Sequence, residues 1–198
     1  RHRDAGNGST TTCRPGSPSR PLSGLAPQLG ELAGRDQVGA AAGEAREITA
    51  RLAGSHPLVI TVMNGGQVFA GQLLPRLAFA LDCSYVHVRR YGGETRGGEL
   101  VWIAGPHDSV TGRTVLLLDD ILDEGRTLAA IRARLLEVGA REVLLAAFAV
   151  KERVALPEVA ADFIGVRVPD RFVFGFGMDL GGLWRNLPSI RALAETAD

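Results

Sequence analysis

Apolar and polar positions follow two patterns along most of the chain, one typical of buried strands and one typical of amphipathic helices. Short aliphatic, β-branched or alternating runs bounded by turn residues predict strands. These cover residues 58–63, 84–91, 99–105, 113–120, 142–150, 161–168 and 171–177. Apolar residues at helical spacing predict helices, which cover residues 42–54, 66–81 and 127–139. Because strands alternate with helices, the pattern predicts an α/β fold with a mostly parallel sheet covered on both faces.

Glycine and proline mark where these elements should bend or end. Pro75 lacks an amide hydrogen, so it should kink or split the helix at 66–81. The glycine-rich stretch 92–98 predicts a flexible turn, after which residues 99–105 return as a hairpin partner of the preceding strand. Gly139 is the expected end of the third helix.

Residues 1–40 differ in composition from the rest of the chain. They are rich in Gly, Ser, Thr, Pro and Arg and show no apolar periodicity. Such a segment cannot bury enough surface to offset the entropy that it would lose on ordering. We therefore expect residues 1–40 to be flexible and residues 41–198 to form one folded domain.

The overall composition is that of an ordinary globular domain. Of 198 residues, 45% are hydrophobic and 22% are charged. The formal net charge is zero, so we expect no nucleic-acid partner, although a local basic patch is compatible with a neutral total. Lys151 is the only lysine, which makes its position in the fold of interest.

The cysteines and the apolar runs indicate the compartment. Cys13 and Cys83 cannot form a disulfide framework or a zinc site of the usual spacing. No apolar run approaches the roughly 20 residues that are needed to cross a bilayer, and residues 1–12 lack the apolar centre of a secretory signal. These features predict a cytoplasmic protein without a membrane partner.

The stretch "VLLLDDILDEGRT", residues 115–127, places four acids at the predicted end of a buried strand. Ligands of open α/β sheets bind at the carboxyl ends of strands. Gly125 permits a positive φ, Thr127 can cap the following helix, and a helix N-terminus binds phosphate. Asp119 and Asp120 suit vicinal hydroxyls or Mg²⁺. A ligand with a phosphate beside a diol, such as ribose 5-phosphate, would satisfy both halves.

Two other interpretations of these acids stay open at this point. One is an exposed, solvated loop whose acids merely help to start the helix. The other is the acidic strand of a P-loop nucleotide-binding protein, which is disfavoured because the chain contains no GxxxxGK[ST] motif.

The stretch "VLLLDDILDEGRTL" closely resembles the signature with which type I phosphoribosyltransferases bind 5-phosphoribosyl-1-pyrophosphate (PRPP). It has the same order of apolar strand, two acids, two apolar residues, aspartate, small loop and threonine. The resemblance extends over roughly residues 55–191 and is strongest to the hypoxanthine-guanine branch. Three further stretches carry that similarity, at 62–69 ("VMNGGQVF"), 149–153 ("AVKER") and 162–188.

The resemblance implies a fold and an activity. The expected fold is a central, mostly parallel sheet flanked by helices, with a small hood formed by the N- and C-terminal segments. The expected reaction is the Mg²⁺-dependent transfer of the 5-phosphoribosyl group from PRPP to N9 of a 6-oxopurine, hypoxanthine or guanine, in purine salvage. Relatives of this kind also lead us to expect a homo-oligomer, a dimer or a tetramer.

The resemblance assigns PRPP and Mg²⁺ to specific residues. Asp119 and Asp120 would hold the ribose diol, and Arg185 would bind pyrophosphate. The remaining PRPP contacts, mainly through backbone N–H groups, are implied for Glu124, Gly125, Arg126, Thr127, Asn64 and Gly65. The implied ligands of Mg²⁺ are Asp119, Asp120 and Asp179.

The resemblance also assigns the purine to specific residues. Asp123 would act as the general base that takes the N7 proton, and Lys151 would donate to O6. Phe172 would stack on the base, while Val173 would present its backbone and Asp179 would lie at the same subsite. The alternatives are ordinary ones: a surface lysine, a core aromatic, and a surface salt bridge made by Asp179 or Arg185.

Two departures from the family pattern affect the expected binding of pyrophosphate. Asn64 stands where many relatives carry a basic residue in the first active-site loop. The mobile lid of relatives usually carries Ser-Tyr, whereas this chain has Arg90 and Tyr91. We hypothesise that Arg89 and Arg90 supply the positive charge that Asn64 lacks.

Two classes of function compete. The first is the salvage enzyme, and the second is a regulator of the same fold that senses PRPP or nucleotides. The neutral chain and the intact Asp123 disfavour the regulator, since a sensor does not need a general base. Within the enzyme class, Lys151 and the stretch 162–188 disfavour adenine and pyrimidines but do not separate hypoxanthine, guanine and xanthine.

Overall fold

The computed structural model describes residues 29–31, 36–90, 100–105 and 109–193. The strands in these ranges are β1 (Leu29–Glu31), β2 (Leu58–Met63), β3 (Asp82–Arg90), β4 (Leu100–Ala104), β5 (Thr114–Leu122), β6 (Glu142–Glu152), β7 (Phe163–Pro169), β8 (Val173–Phe174) and β9 (Arg191–Leu193). The helices are α1 (Gln37–Leu52), α2 (Gln67–Leu73) and α3 (Arg126–Glu137). None of these helices is long and apolar enough to cross a membrane.

Six of the strands form the main sheet, in the order β4-β3-β2-β5-β6-β7. Neighbours from β3 to β7 run parallel, and only the edge strand β4 runs antiparallel, to β3. The predicted hairpin between β3 and β4 and the predicted, mostly parallel sheet are therefore confirmed. The carboxyl ends of β2, β5, β6 and β7 consequently lie along one edge of the sheet.

Helices cover both faces of this sheet, as a parallel sheet requires. Successive residues of β5 point to opposite faces, so that Leu116 and Leu118 join the apolar layer under α1 and α2. Val115 and Leu117 join the layer under α3 on the other face. This division explains why β5 is an unbroken apolar run rather than an alternating one.

A second, three-stranded sheet has the order β1-β9-β8, with both neighbouring pairs antiparallel. It joins the N-terminal strand to the C-terminal part of the chain and forms the predicted hood. The strand β1 and the first residues of α1, from Gln37, lie within residues 1–40, which we expected to be flexible. The domain boundary at residue 40 is thus too late for these elements, and residues 1–28 and 32–35 lie outside the described residues.

Two predicted elements are shorter than the sequence pattern indicated. The helix expected at 66–81 splits at Pro75: α2 ends at Leu73, and a short 3₁₀ turn continues to Arg76, because proline cannot donate the next helical hydrogen bond. The strand expected at 171–177 is reduced to β8. Gly175 and Gly177 there have φ of 85° and 104°, which a strand cannot accommodate.

The remaining boundaries differ in outcome: one strand is longer than predicted, one helix ends as predicted, and one turn cannot be compared. The strand predicted at 113–120 continues to Leu122, because both added residues pair with β6. The third helix ends near Gly139 as predicted, and Gly139 has φ of 100°. The flexible turn predicted at 92–98 lies outside the described residues.

Candidate active site

The strand ends and the hood together enclose one cleft of about 340 Å³. Residues at the carboxyl ends of β2, β5 and β6 and just after them form its floor, and residues of the hood and its neighbouring turns form its roof. Ten of the residues proposed from the sequence line this cleft: Asn64, Gly65, Asp119, Asp120, Asp123, Lys151, Phe172, Val173, Asp179 and Arg185. The fold thus brings together residues that lie more than a hundred positions apart.

The acid pair lies within β5, as the strand predicted at 113–120 implies, and β5 continues beyond the pair to Leu122. The Asp120 amide donates to Asp119 Oδ1 at 3.0 Å, and the Ile121 amide donates to Asp120 Oδ1 at 2.9 Å. Burial raises the pKa of Asp119, and the charge of Asp120 raises it further. Burial also raises the pKa of Asp120, although Arg185 acts in the opposite direction. Two crowded, desolvated carboxylates of this kind favour a cation or a donor of several hydrogen bonds.

The first active-site loop packs against this pair without room for side chains. A Cβ atom on Gly65 would lie 2.2 Å from Asp120 Oδ2, and one on Gly177 would lie 2.2 Å from the Gly65 carbonyl oxygen. The backbone of the loop after β2 therefore packs directly against the Asp120 carboxylate and against the backbone of the turn after β8. Any larger residue at position 65 would overlap the Asp120 carboxylate.

Arg185 and Asp179 form an ion pair at the roof of the cleft. Arg185 Nη1 also donates to the Gly177 carbonyl oxygen at 2.6 Å and lies 3.9 Å from Asp120 Oδ2. Asp179 Oδ2 accepts a hydrogen bond from the Gly182 amide at 2.7 Å. The ion-pair alternative and the functional role are thus compatible, because this pair lies inside the cleft.

The three acids predicted to bind Mg²⁺ do not form a ready-made metal cage. Within the described ranges, no group of three His, Cys, Asp or Glu residues is arranged to hold a metal ion. Asp179 is instead held by Arg185. Asp119 and Asp120 remain suitable ligands, since Mg²⁺ commonly binds one or two carboxylates together with water and substrate phosphates.

Asp123 is held by two cations. Lys151 Nζ donates to Asp123 Oδ2 at 2.7 Å, and Arg153 Nη1 donates to Asp123 Oδ1. Burial alone would raise the pKa of Asp123, but the hydrogen bonds and charges of Lys151 and Arg153 outweigh it and lower this pKa. The Lys151 side chain is only 12% exposed. The surface-lysine alternative is therefore wrong.

The sequence reasoning missed Arg153. A signal was present, because Asp123 is the first residue after β5 and Arg153 is the first residue after β6, its parallel neighbour. Residues that follow neighbouring parallel strands meet at one edge of the sheet. The prediction that Lys151 binds the purine O6 must also account for its contact with Asp123.

The loop from Glu124 to the first turn of α3 has the geometry of an anion site. Gly125 has φ of 76° and precedes the first helical residue, Arg126. Gly125, not Thr127, therefore occupies the capping position, and the predicted cap by Thr127 is wrong. The Arg126 side chain lies between two acids, with its Nε 3.1 Å from Glu124 Oε2 and 3.5 Å from Glu158 Oε1. The N-terminus of α3 remains the natural site for a phosphate.

The wall of the cleft near the hood carries the aromatic residue. Phe172 is 49% exposed, so the core-aromatic alternative is wrong, and a flat face is open to a planar ligand. Val173 is buried in β8. The side chain of Arg90 and all of Tyr91 lie outside the described residues, so the lid stays a prediction.

Known proteins are similar to this chain in sequence and in fold. The model of the phosphoribosyl transferase domain matches residues 33–180. A bifunctional protein TilS/HprT of Listeria monocytogenes serotype 4b is 37% identical over 149 residues. That alignment covers 75% of this chain but only 23% of the relative, so the chain spans less than a quarter of that protein's length.

Two further relatives align over most of their own length. A hypoxanthine-guanine phosphoribosyltransferase of Streptococcus agalactiae serotype V is 32% identical over 150 residues, which cover 75% of this chain and 83% of the relative. The crystal structure of a hypoxanthine phosphoribosyltransferase from Staphylococcus aureus has a TM-score of 0.79 and 26% identity, over 85% of this chain and 94% of that one. The chain belongs to the phosphoribosyltransferase family and, within it, to the hypoxanthine-guanine branch.

Proposed function

We propose that this chain transfers the 5-phosphoribosyl group of PRPP to N9 of hypoxanthine or guanine, releasing pyrophosphate and forming IMP or GMP in purine salvage. One observation carries the proposal: a single cleft is lined both by the acids of the PRPP signature and by Lys151, Asp123 and Phe172. The two halves of the reaction would thus meet in one cavity. The family membership supports the same conclusion.

PRPP would bind along β5 and the start of α3. Asp119 and Asp120 would accept hydrogen bonds from the ribose diol, and their crowding would be relieved by such donors. The 5-phosphate would bind at Glu124–Thr127, where Gly125 opens the backbone and α3 presents its first N–H groups. Pyrophosphate would meet Arg185, with the backbone of Asn64 and Gly65 beside it.

Mg²⁺ is proposed as the cofactor. The desolvated oxygens of Asp119 and Asp120 fit this ion, and Asp179 would reach it only if its ion pair with Arg185 opened. When bound, Mg²⁺ would neutralise charge that develops on the departing pyrophosphate. This chain would contribute Arg185 to the same end, as a fixed positive charge close to the acid pair.

The purine would lie between Phe172 and the ends of β5 and β6. Phe172 would stack on its face, and the backbone of Val173 would meet its edge. Lys151 would donate to O6, a group that adenine lacks, after leaving Asp123. Asp123 would then accept the N7 proton while N9 attacks C1 of the ribose.

The wider setting of the chain is also a proposal. By family resemblance we infer a homo-oligomer, a dimer or a tetramer, in the cytoplasm, with no nucleic-acid or membrane partner. Sedimentation of the purified chain with and without PRPP tests the oligomer. A monomer under both conditions would contradict it.

Nucleotide formation tests the proposed reaction directly. The chain would be supplied with PRPP, Mg²⁺ and, in separate reactions, hypoxanthine, guanine, xanthine or adenine. We expect turnover of 6-oxopurines alone, a loss of about 100-fold or more in Asp123→Asn, and relaxed discrimination against adenine in Lys151→Ala. Arg167→Gln, an exposed substitution on β7, serves as the control.

Each other result has a defined meaning. Dominant use of xanthine would place the chain among xanthine-preferring relatives. Measurable binding of PRPP without turnover of any base would contradict the enzyme and favour the sensor.

A further inference from the structure

Three neighbouring parallel strands end at the edge that forms the cleft: β6 and β7 end in register, and β5 ends two residues short of them. β5 ends at Leu122, β6 at Glu152 and β7 at Pro169. The next residue in each case is charged: Asp123, Arg153 and Asp170. The sheet therefore presents an acid, a base and an acid side by side at its carboxyl edge.

Arg153 is anchored from several directions within this row. Its Nη1 donates to Asp123 Oδ1, while its Nε lies 3.8 Å from Asp170 Oδ2 and its Nη2 lies 4.0 Å from Glu124 Oε1. Its side chain is 26% exposed. A planar guanidinium that faces three carboxylates has little freedom to turn away from any of them.

Lys151 holds the other oxygen of the same carboxylate, Asp123 Oδ2, at 2.7 Å. Lys151 carries a flexible side chain with a single charged atom, whereas Arg153 is a rigid fork. The loop that follows Arg153 is also tied to the loop after β5, because the Glu158 amide donates to the Glu124 carbonyl oxygen at 2.9 Å. Asp123 Oδ2 is thus held by Lys151, a partner that can move away, whereas Asp123 Oδ1 is held by Arg153, which is fixed by its other contacts.

We propose that Arg153 is the positioning residue for Asp123: it keeps Oδ1 in place while Lys151 leaves Oδ2 for the O6 oxygen of the purine. This inference rests on the proposed function. Oδ2 is then free to accept the N7 proton as the bond from N9 to C1 forms and the bond from C1 to pyrophosphate breaks. Arg153 keeps all its protons throughout.

The charges around Asp123 indicate that Arg153 acts mainly by orienting the Asp123 carboxylate, and less by adding positive charge beside it. Lys151 and Arg153 face Asp123 from the end of β6, whereas Glu124 and Asp170 partly offset the charge of Arg153. Without Arg153, binding of O6 to Lys151 would leave the carboxylate with no cation to orient it. Its oxygens could then rotate away from N7.

The test compares Arg153→Gln, Arg153→Lys and the exposed control Arg167→Gln. Arg153→Gln should lower kcat about tenfold through lost orientation, with the KM for PRPP unchanged. The acid limb of the pH profile of kcat should move to higher pH, because Asp123 loses a cation that stabilises its ionised form. Arg153→Lys should keep the acid limb near its wild-type position while recovering only part of kcat.

Two results would overturn the inference. In the first, Arg153→Gln has the same kcat as the wild type, and the acid limb of its pH profile lies at the same pH. The other is a change confined to the KM for PRPP, which would make Arg153 a substrate-binding residue.

A readout that needs no turnover separates this inference from the proposed function. Titration of the Asp123 carboxyl carbon by NMR in the free chain should give a higher pKa in Arg153→Gln than in the wild type. An unchanged pKa would refute the contact itself. A wild-type chain without phosphoribosyl transfer would refute the function instead, whatever this titration gives.

Discussion

Glu44 is the least expected residue of the core, and its replacement by glutamine should stabilise the protein near neutral pH. It lies on α1, is 2% exposed, and neither of its carboxyl oxygens has a hydrogen-bond partner among the residues that the structure describes. A Cβ atom on Gly165 of β7 would lie 2.9 Å from its Oε2. The carboxyl group is thus enclosed between the helix and the sheet.

The magnitude follows from the pKa of this group. Burial, with a smaller contribution from the charge of Glu47, raises the pKa of Glu44 from 4.5 to about 8. The folded state therefore binds the proton more tightly than the unfolded chain. Stability from this group is complete below pH 4.5 and is lost as the pH rises towards 8. At pH 7 the loss is about 3 kcal/mol of unfolding free energy.

Glutamine has nearly the same shape but does not ionise, so Glu44→Gln avoids this loss. Urea unfolding should show the variant more stable than the wild type near pH 8, by up to about 4 kcal/mol, and within about 1 kcal/mol of it near pH 5. Glu47→Gln, an exposed change one turn of the helix away, is the comparison variant: it removes only the smaller contribution to the pKa of Glu44 and should alter stability much less than Glu44→Gln at either pH.

The pH dependence is the decisive part of this experiment. Equal differences between Glu44→Gln and the wild type at both pH values would refute the reasoning, because they would show that ionisation of Glu44 is not coupled to folding. A wild-type stability that rises between pH 5 and pH 8 by more than the variant's would refute the sign.

Three further predictions concern the cleft. Gly65→Ala should reduce PRPP binding at least about tenfold, measured by calorimetry, because the added Cβ would overlap the Asp120 carboxylate. The control Gly71→Ala, where α2 has open space for a Cβ, should bind PRPP normally. Equal PRPP affinity of the two variants would contradict the close packing at Gly65. Phe172→Ala should raise the KM of the purine by about 10- to 100-fold through lost stacking, and an unchanged KM would exclude the stack. Chelation of Mg²⁺ should abolish pyrophosphate release, and full activity with a chelator present would contradict the metal.

Much of the fold follows from short-range patterns, and those predictions succeeded. The strand and helix order, the parallel sheet and the β3–β4 hairpin depend on residues within a few positions of one another. The PRPP signature is equally local, since its acids, glycine and threonine lie on one strand–turn–helix unit. Even the burial of Glu44 had a local signal, because it lies on the same helical stripe as Ala41, Ala45 and Ile48.

Element boundaries failed where tertiary contacts override local pattern. Residues 121 and 122 of β5 are strand because β6 continues beside them. β1 is a strand because β9 lies beside it, although its own sequence is short and unremarkable in pattern. No periodicity within a segment reports whether a partner strand will be present.

The sequence by itself determined the α/β architecture, the family and the residues of one local signature. Only the tertiary structure decided which of those residues contact one another. Asp123 and Arg153 are 30 positions apart, and Arg185 reaches Asp120 from the segment between β8 and β9. Sheet order and register create such contacts, and they depend on packing of the whole chain. That is why the contact between Arg153 and Asp123 became visible only when the strands were assembled.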